Sequence, residues 1–254
     1  MQQGYETLRQ TVLSLAGWDL DCYRSQQLER RLRTLLARTR TADLREYADL
    51  LRSEPQRLLE LSDLLTVNVS EFFRNPERFT YCLDIIRQHR ASTFSLWSAG
   101  CANGAEPYSL AMLCEEAGVR SYTVLATDVD PCSLERAANA AYKQQDLVGV
   151  SEERKHKFFK RRGDEFCVAE HIRKRVRFVR HNLLSDPYPA QFDLIACRNV
   201  LIYFTESAKE SVIRLLSNSL RPGGHLFIGS TETIWNAADA HLVQIAPFFY
   251  RRKT

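Results

Sequence analysis

The segment from Phe94 to Ala117 constrains the fold of this chain more than any other stretch. It starts as a short apolar run of strand type, passes through a loop of small residues between Gly100 and Gly104, and becomes periodic in apolar residues at Pro107. A proline in the first turn of a helix loses no hydrogen bond, because its missing amide would have no partner there. The segment therefore predicts a strand, a glycine loop and a helix start, an arrangement that cradles nucleotide-like ligands.

The glycine loop by itself leaves the ligand open, and an ordinary strand-to-helix turn is an alternative. Its Gly-x-x-x-Gly spacing differs from the Gly-x-Gly-x-x-Gly fingerprint of dinucleotide-binding folds. Asp128 adds information, because it ends a second predicted strand 24 residues after Gly104. A carboxylate at that position can accept both hydroxyls of a ribose. NAD enzymes and S-adenosylmethionine (SAM) enzymes share this geometry, and the glycine spacing favours SAM, whose sulfonium needs no pyrophosphate site.

The composition limits the class of protein. The chain has 254 residues, of which 44% are hydrophobic, so it has room for one large or two smaller domains. It contains no apolar run close to the ~18 residues of a membrane span, and its first residues lack the form of a signal peptide. The seven cysteines are far apart, with no Cys-x-x-Cys pair and no paired histidines. We therefore expect free thiols, no metal site, no membrane insertion and a cytoplasmic location.

Charge is distributed unevenly along the chain. The net charge is +4, but residues 22–40 contribute +5 and residues 151–180 contribute +6, which leaves −7 for the remainder. Two basic segments on an otherwise acidic chain suggest two faces that meet an anionic partner. For either segment alone, a solvated surface is the alternative.

The first third of the chain is predicted to be all-helical. No glycine lies between Gly17 and Gly100, and leucines recur at helical spacing from Leu28 to Leu36. The same helix has an arginine-rich outer face, formed by Arg24, Arg30, Arg31, Arg33 and Arg38. We expect this helix to lie away from the strand ends that hold a ligand.

After residue 91 the pattern changes to strands that alternate with helices. This alternation predicts a parallel α/β sheet with helices on both faces, and ligands in such sheets bind beyond the carboxyl ends of the strands. We therefore expect an all-helical domain over residues 1–75, a linker helix over residues 76–91 and an α/β domain over residues 92–254. The predicted strands are Phe94–Ala99, Tyr122–Ala126, Phe192–Ala196 and Leu226–Gly229.

A basic segment interrupts this alternation. Three short strands are predicted, at Lys157–Lys160, Phe166–Ala169 and Arg175–Val179. Together they predict a small antiparallel β insert at about residues 154–180.

Five motifs in order give the chain a specific resemblance. They are Thr66 to Arg74 followed by Pro76, Ser98 to Ser109, Ala126 to Asp130, Cys197 to Phe204, and Leu220 to Gly224. With these motifs the chain resembles the CheR family of chemotaxis-receptor protein-glutamate O-methyltransferases over nearly its whole length. The resemblance implies a SAM-dependent methyltransferase fold of Rossmann-like type, preceded by a helical domain.

The resemblance also implies a cofactor site for SAM and its product S-adenosylhomocysteine. Glu106 would face the methionine end of the cofactor, Asp128 the ribose, and Asn182 with Leu183 the adenine. The implied cofactor-binding residues are Asn68, Ser70, Arg74, Gly100, Glu106, Asp128, Asn182, Leu183, Arg198 and Asn199.

The implied substrate is a glutamate carboxylate on a chemoreceptor. Arg74 and Tyr203 would be the catalytic residues that address this carboxylate. The outer-face arginines Arg24, Arg30, Arg31, Arg33 and Arg38 would meet the acidic cytoplasmic helical bundle of the receptor. We expect the enzyme to act as a monomer and not on nucleic acid.

The chain departs from the family pattern at several positions. Ser70 stands where threonine is usual, and Ser230-Thr231-Glu232 stands where His-Ser-Glu is usual. Asn103 and Ala105 replace a threonine and a glutamate of the glycine loop. The β insert is short near Gly163, which argues against docking on a receptor's C-terminal pentapeptide.

Two other functions are compatible with parts of the sequence. The basic segments suggest a nucleic-acid methyltransferase, but the Asn/Asp-Pro-Pro-Tyr/Phe turn of amino-methylating enzymes is replaced by Arg198 to Leu201. A similar run at Asp186 to Pro189 precedes the strand instead of following it. A non-catalytic SAM-binding module is the second alternative, and the presence of Arg74 and Tyr203 argues against it.

Overall fold

The computed structural model describes residues 4–65, 70–89 and 93–254. An all-helical N-terminal region is followed by an α/β region whose main sheet is mostly parallel, as the sequence predicts. The helices are α1 (Tyr5–Ala16), α2 (Ser25–Thr39), α3 (Leu44–Ser53), α4 (Leu58–Leu65), α5 (Pro76–Gln88), α6 (Ala105–Glu116), α7 (Pro131–Asn139), α8 (Glu152–Phe158), α9 (Glu170–Arg173) and α10 (Glu206–Ser219). The strands are β1 (Phe94–Ala99), β2 (Tyr122–Asp128), β3 (Ala141–Lys143), β4 (Phe159–Arg162), β5 (Glu165–Val168), β6 (Val176–Arg180), β7 (Phe192–Cys197), β8 (Leu220–Ile228), β9 (Leu242–Ala246) and β10 (Phe249–Arg252).

The N-terminal region has its own apolar core. The leucine spacing of α2 puts Leu28, Leu32 and Leu35 on one buried face, which packs with Tyr47 of α3. Within the described residues, no helix is both long and apolar enough to cross a membrane. Helix α5 belongs to a separate apolar core around the main sheet, because its buried Phe79 packs with residues of the sheet.

The main sheet has the strand order β6-β2-β1-β7-β8-β10-β9. The strands from β6 to β8 are parallel, whereas β10 runs antiparallel to both of its neighbours. The order reverses between β1 and β7, and ligands of open α/β sheets bind at such a switch point. The parallel register of β1 and β2 continues to the pair Ala99 and Thr127, so Gly100 and Asp128 lie side by side at the carboxyl end of these strands.

The small sheet differs from the prediction in two of its three strands. It has the order β3-β5-β4, and β4 begins only at Phe159 because the preceding residues form α8. The predicted third strand at Arg175–Val179 is wrong as part of the insert, since β6 pairs in parallel with β2 of the main sheet. The third strand of the small sheet is β3, which pairs with β5. A strand pattern does not specify its partner, so this choice depends on contacts distant in sequence.

Helix α3 offers a test of the local energetics. Asp43 accepts hydrogen bonds from the amides of Arg45 and Glu46, both at 2.9 Å. Because these amides have no partner within the helix, Asp43→Ala should lower the free energy of unfolding by about 1 kcal/mol in urea denaturation. Asp49→Ala on the same helix is the control, since its exposed ion pair with Arg52 should contribute less than about 0.5 kcal/mol. Equal losses in the two variants would contradict the capping role.

Candidate active site

A cavity of about 200 Å³ opens at the carboxyl edge of the main sheet, at the switch point between β1 and β7. Residues from the helical region, from the junction segment between α4 and α5 (described over residues 70–75) and from the sheet region all contribute to its walls. The cavity collects predicted residues that are far apart in sequence, namely Ser70, Arg74, Gly100, Glu106, Asp128, Asn182, Leu183, Arg198, Asn199 and Tyr203. Asn68 lies outside the described residues.

The glycine loop presents its backbone to the cavity. Gly100 has φ +81°, in the left-handed region, and a Cβ atom there would lie 2.3 Å from Cγ2 of Val200. The amides of Gly100 and Cys101 both donate to the carbonyl of Thr127, at 2.8 and 2.9 Å. These bonds hold the start of the loop against the end of β2, and the glycine makes room there for the side chain of Val200.

Asp128 is buried at the end of β2. Its Oδ2 accepts from the amide of Ala102 at 2.8 Å, and its Oδ1 accepts from the amide of Asp130 at 3.0 Å. Burial raises the pKa of this carboxyl group, and the two amides oppose that shift. Asp128 also lines the cavity, so an acceptor position of its carboxylate can face a hydroxyl group of a ligand.

Glu106 and Arg198 form a buried ion pair across the switch point. Glu106 Oε2 lies 3.4 Å from an Nη atom of Arg198, and its Oε1 accepts from the Ser98 hydroxyl at 2.8 Å. Burial raises the pKa of Glu106, while the charge of Arg198 opposes this shift. Burial lowers the pKa of Arg198, because it disfavours the charged guanidinium, and the charge of Glu106 opposes this decrease. Glu106 thereby becomes a fixed acceptor in the wall of the cavity.

Arg198 also holds the junction segment in place. Its Nη2 donates to the carbonyl of Arg74 at 2.7 Å and to Oδ1 of Asn75 at 2.9 Å. Its guanidinium lies 5.2 Å from the ring centroid of Phe79 and 4.5 Å from that of Phe227. Arg198 therefore links the end of β7 to the segment that carries Arg74.

Two phenylalanines anchor the junction segment in the core of the sheet. Phe72 packs edge-on against Tyr142, with ring centroids 4.8 Å apart, and the amide of Phe73 donates to the Ser109 hydroxyl at 3.0 Å. Because this pair is anchored, Ser70 and Arg74 on either side of it reach the cavity wall. The junction segment is thus part of the site, and Phe72 and Phe73 fix it to the core of the sheet region.

Tyr203 lies on a single 3₁₀ turn, Leu201–Tyr203, between β7 and α10. The guanidinium of Arg31 is 4.9 Å from the centroid of its ring, and the amide of Arg24 donates to its carbonyl at 2.9 Å. The expectation that the arginine-rich helix lies away from the strand ends is therefore wrong. A β-bridge between Tyr23 and Phe204 brings the start of α2 to the cavity.

The five outer-face arginines separate into three settings. Arg24 binds Glu206 at 2.9 Å and thus joins the two regions, whereas Arg31 stacks on Tyr203. The remaining three, Arg30, Arg33 and Arg38, are exposed on α2 and lie outside the cavity lining. Arg33 lies 3.7 Å from Glu29 on the same helix. Only part of the predicted arginine face is therefore available to a partner without affecting the site.

Several lining residues were not predicted from the sequence. Tyr23, Val129, His181 and Ile202 contribute to the cavity walls. Val129 directly follows Asp128, so its position just after the end of a predicted strand could have indicated that it lies at the site. Nothing local marks Tyr23, because contacts with residues distant in sequence, such as the bridge to Phe204, bring it to the site.

The donor set of the cavity fits SAM. Asp128 suits a ribose diol, Glu106 is an anionic acceptor for the methionine end, and apolar side chains such as Leu183 suit the faces of an adenine. Gly100 and Ala102 of the glycine loop also line this cavity. Among the described residues, no group of three or more His, Cys, Asp or Glu side chains is placed to hold a metal ion.

Comparison with known proteins agrees with this geometry. The SAM binding domain of CheR methyltransferases matches residues 68–247, and their all-alpha domain matches residues 3–66. The chain is 38% identical to a chemotaxis protein methyltransferase of Listeria monocytogenes, with 98% of this chain and 97% of the relative covered. It is 36% identical to the Listeria innocua protein of that name and 31% identical to chemotaxis protein methyltransferase 1 of Pseudomonas aeruginosa, with the same coverage. The chain therefore belongs to the CheR methyltransferase family and is a SAM-dependent methyltransferase.

Proposed function

We propose that this enzyme methylates glutamate side chains of a chemoreceptor and forms glutamate methyl esters. The observation that carries the proposal is the arrangement of Tyr203 and Arg74 on the wall of the cavity that contains Asp128 and Glu106. This arrangement puts groups that can orient a carboxylate beside groups that suit the cofactor. The relatives named chemotaxis protein methyltransferase support a substrate from the chemosensory system.

The chemistry requires positioning more than proton transfer. A glutamate carboxylate has an unperturbed pKa of about 4.3, so it is already ionised near neutral pH and needs no general base. Bound SAM supplies a methyl group on a positively charged sulfur, which is a good leaving group. The protein has to hold the carboxylate in line with that methyl group and exclude water. Transfer converts two charged groups into two neutral ones, which a poorly hydrated cavity favours.

Tyr203 and Arg74 have complementary parts in this proposal. A phenol can donate one hydrogen bond to the carboxylate without protonating it. Arg74 is half-buried and lines the same cavity as Glu106, so its charge can attract an incoming anion. Because Arg198 is engaged by Glu106 and the junction segment, Arg74 is the better candidate to attract substrate.

The surface of α2 offers a route for a protein substrate. Arg31 connects the exposed arginines of this helix to Tyr203, so a helix bound along α2 would pass the mouth of the cavity. Opposite charges on two surfaces raise the rate of encounter and favour one register. We propose that the acidic cytoplasmic helical bundle of the receptor binds there, to a monomeric enzyme in the cytoplasm.

The proposed reaction can be tested directly. Labelled methyl from SAM should appear on cytoplasmic domains of candidate receptors and should be released by mild base, as expected for an ester. Tyr203→Phe should lower kcat by about tenfold, since it removes one hydrogen bond to the reacting carboxylate. Transfer of label to nucleic acid in place of receptor would contradict the proposal.

The cofactor site has a separate test. Asp128→Asn should weaken binding of S-adenosylhomocysteine in calorimetry by about 0.5–1.5 kcal/mol for each ribose hydrogen bond that is lost. Asp239→Asn is the matched control, because Asp239 is an exposed aspartate outside the cavity. An unchanged affinity in Asp128→Asn would reject the assignment of Asp128 to the ribose.

The docking surface is tested by reversing charge outside the cavity. The double variant Arg30→Glu, Arg38→Glu should raise the apparent KM for receptor and reduce its dependence on salt, since the screening length is ~8 Å at physiological ionic strength. Affinity for S-adenosylhomocysteine should not change. The control Arg45→Glu, Arg52→Glu makes the same change in net charge on α3. If both double variants raise KM equally, the effect belongs to net charge and not to α2.

A further inference from the structure

Glu232 is a buried carboxylate behind the loop that joins β7 to α10. Only 3% of the residue is exposed, and it is not among the residues that line the cavity. It follows β8, whose last residue, Ile228, pairs with Cys197 at the end of β7. A buried charge is costly unless it is hydrogen-bonded, so the partners of Glu232 indicate what it does.

The partners of Glu232 are backbone amides on both sides of it. Its Oε2 accepts from the amide of Gly229 at 2.6 Å and from the amide of Asn199 at 3.1 Å. Its Oε1 is buried and has no hydrogen-bond partner among the described residues, and burial raises the pKa of the carboxyl group. One carboxylate oxygen thus joins the end of β8 to the start of the loop that ends at Tyr203.

The packing around Gly229 shows how closely the end of β8 meets this loop. A Cβ atom on Gly229 would lie 2.7 Å from the amide nitrogen of Asn199 and 2.8 Å from Oε2 of Glu232. Asn199 itself has φ +60°, a left-handed conformation that asparagine adopts more readily than most other non-glycine residues. The close approach at Gly229 therefore leaves the start of the loop little room to move toward β8.

We propose that Glu232 is a positioning residue that fixes the loop from Asn199 to Tyr203 and thereby aims the Tyr203 side chain at the substrate carboxylate. It acts through the main chain and does not touch cofactor or substrate. The inference rests on the proposed function, because it assigns a role to Tyr203 in the reaction. Loop amides oriented by a side chain behind them are a common way to preorganise an active site.

A carboxylate that only filled space would behave differently on substitution. Glu232→Met keeps a similar side-chain volume but removes both acceptor oxygens, which leaves the amides of Gly229 and Asn199 without this partner. A space-filling role predicts little change in this variant, whereas a positioning role predicts a loosened loop. The substitution therefore separates the two roles.

The experiment combines exchange and kinetics. In Glu232→Met, hydrogen exchange of the amides at residues 199–202 should become at least about tenfold faster. The value of kcat should fall about tenfold, and by a larger factor than the affinity for S-adenosylhomocysteine. In a Tyr203→Phe background the same substitution should lower kcat less than about threefold, because both changes act on one element.

Two further variants complete the design. Gly229→Ala should reproduce the kinetic effect by forcing the loop away, and it serves if Glu232→Met does not fold. Asp193→Asn is the control, since Asp193 lies near the amino end of β7, away from the cavity. There it accepts from the amide of Ser95 at 2.8 Å and binds Arg221 at 3.0 Å. It should lower Tm without changing kcat.

Each outcome decides the inference. Unchanged exchange at residues 199–202, or losses in kcat that multiply fully in the double variant, would overturn it while leaving the proposed function intact. A wild-type enzyme that binds S-adenosylhomocysteine but methylates no receptor would instead reject the proposed function, and the role of Glu232 with it.

Discussion

The buried ion pair between Arg198 and Glu106 is the interaction on which the site depends. It joins the end of β7 to the start of α6, and Arg198 extends it to the junction segment through the carbonyl of Arg74. Taking two ions out of water costs several kcal/mol for each, so such a pair persists only when further hydrogen bonds satisfy it. Ser98 and Asn75 provide these bonds, and Phe79 and Phe227 enclose the guanidinium.

The helical region and the sheet region form the cavity together. The sheet alone brings Asp128 next to the glycine loop, but the wall opposite includes Tyr23 and the junction residues Ser70 and Arg74. Direct contacts between the two regions maintain this arrangement, among them the bridge between Tyr23 and Phe204. An active site enclosed in this way can exclude water although each of its walls is open by itself.

The electrostatics of the enzyme follow from the same geometry. Glu71, Glu106 and Asp128 line the cavity together with Arg74 and Arg198, whereas arginines dominate the exposed face of α2. Arg31 lies where the cavity and this face meet, because it stacks on Tyr203. The surface that we propose to bind acidic protein is thus continuous with the residue that we propose to orient the acceptor.

The sequence by itself determined the features that depend on local pattern. The period of the leucines located the buried face of α2, and the order of strand, glycine loop and proline located the start of α6. Asp128 could be found because a residue that follows a parallel strand must lie at its carboxyl edge. The tertiary structure alone decided which strand joins which sheet, as the misplaced Arg175–Val179 strand demonstrates. It also decided that Arg31 reaches Tyr203 and that Glu232 supports the loop, because both contacts join residues that are distant in sequence and whose local patterns specify no partner.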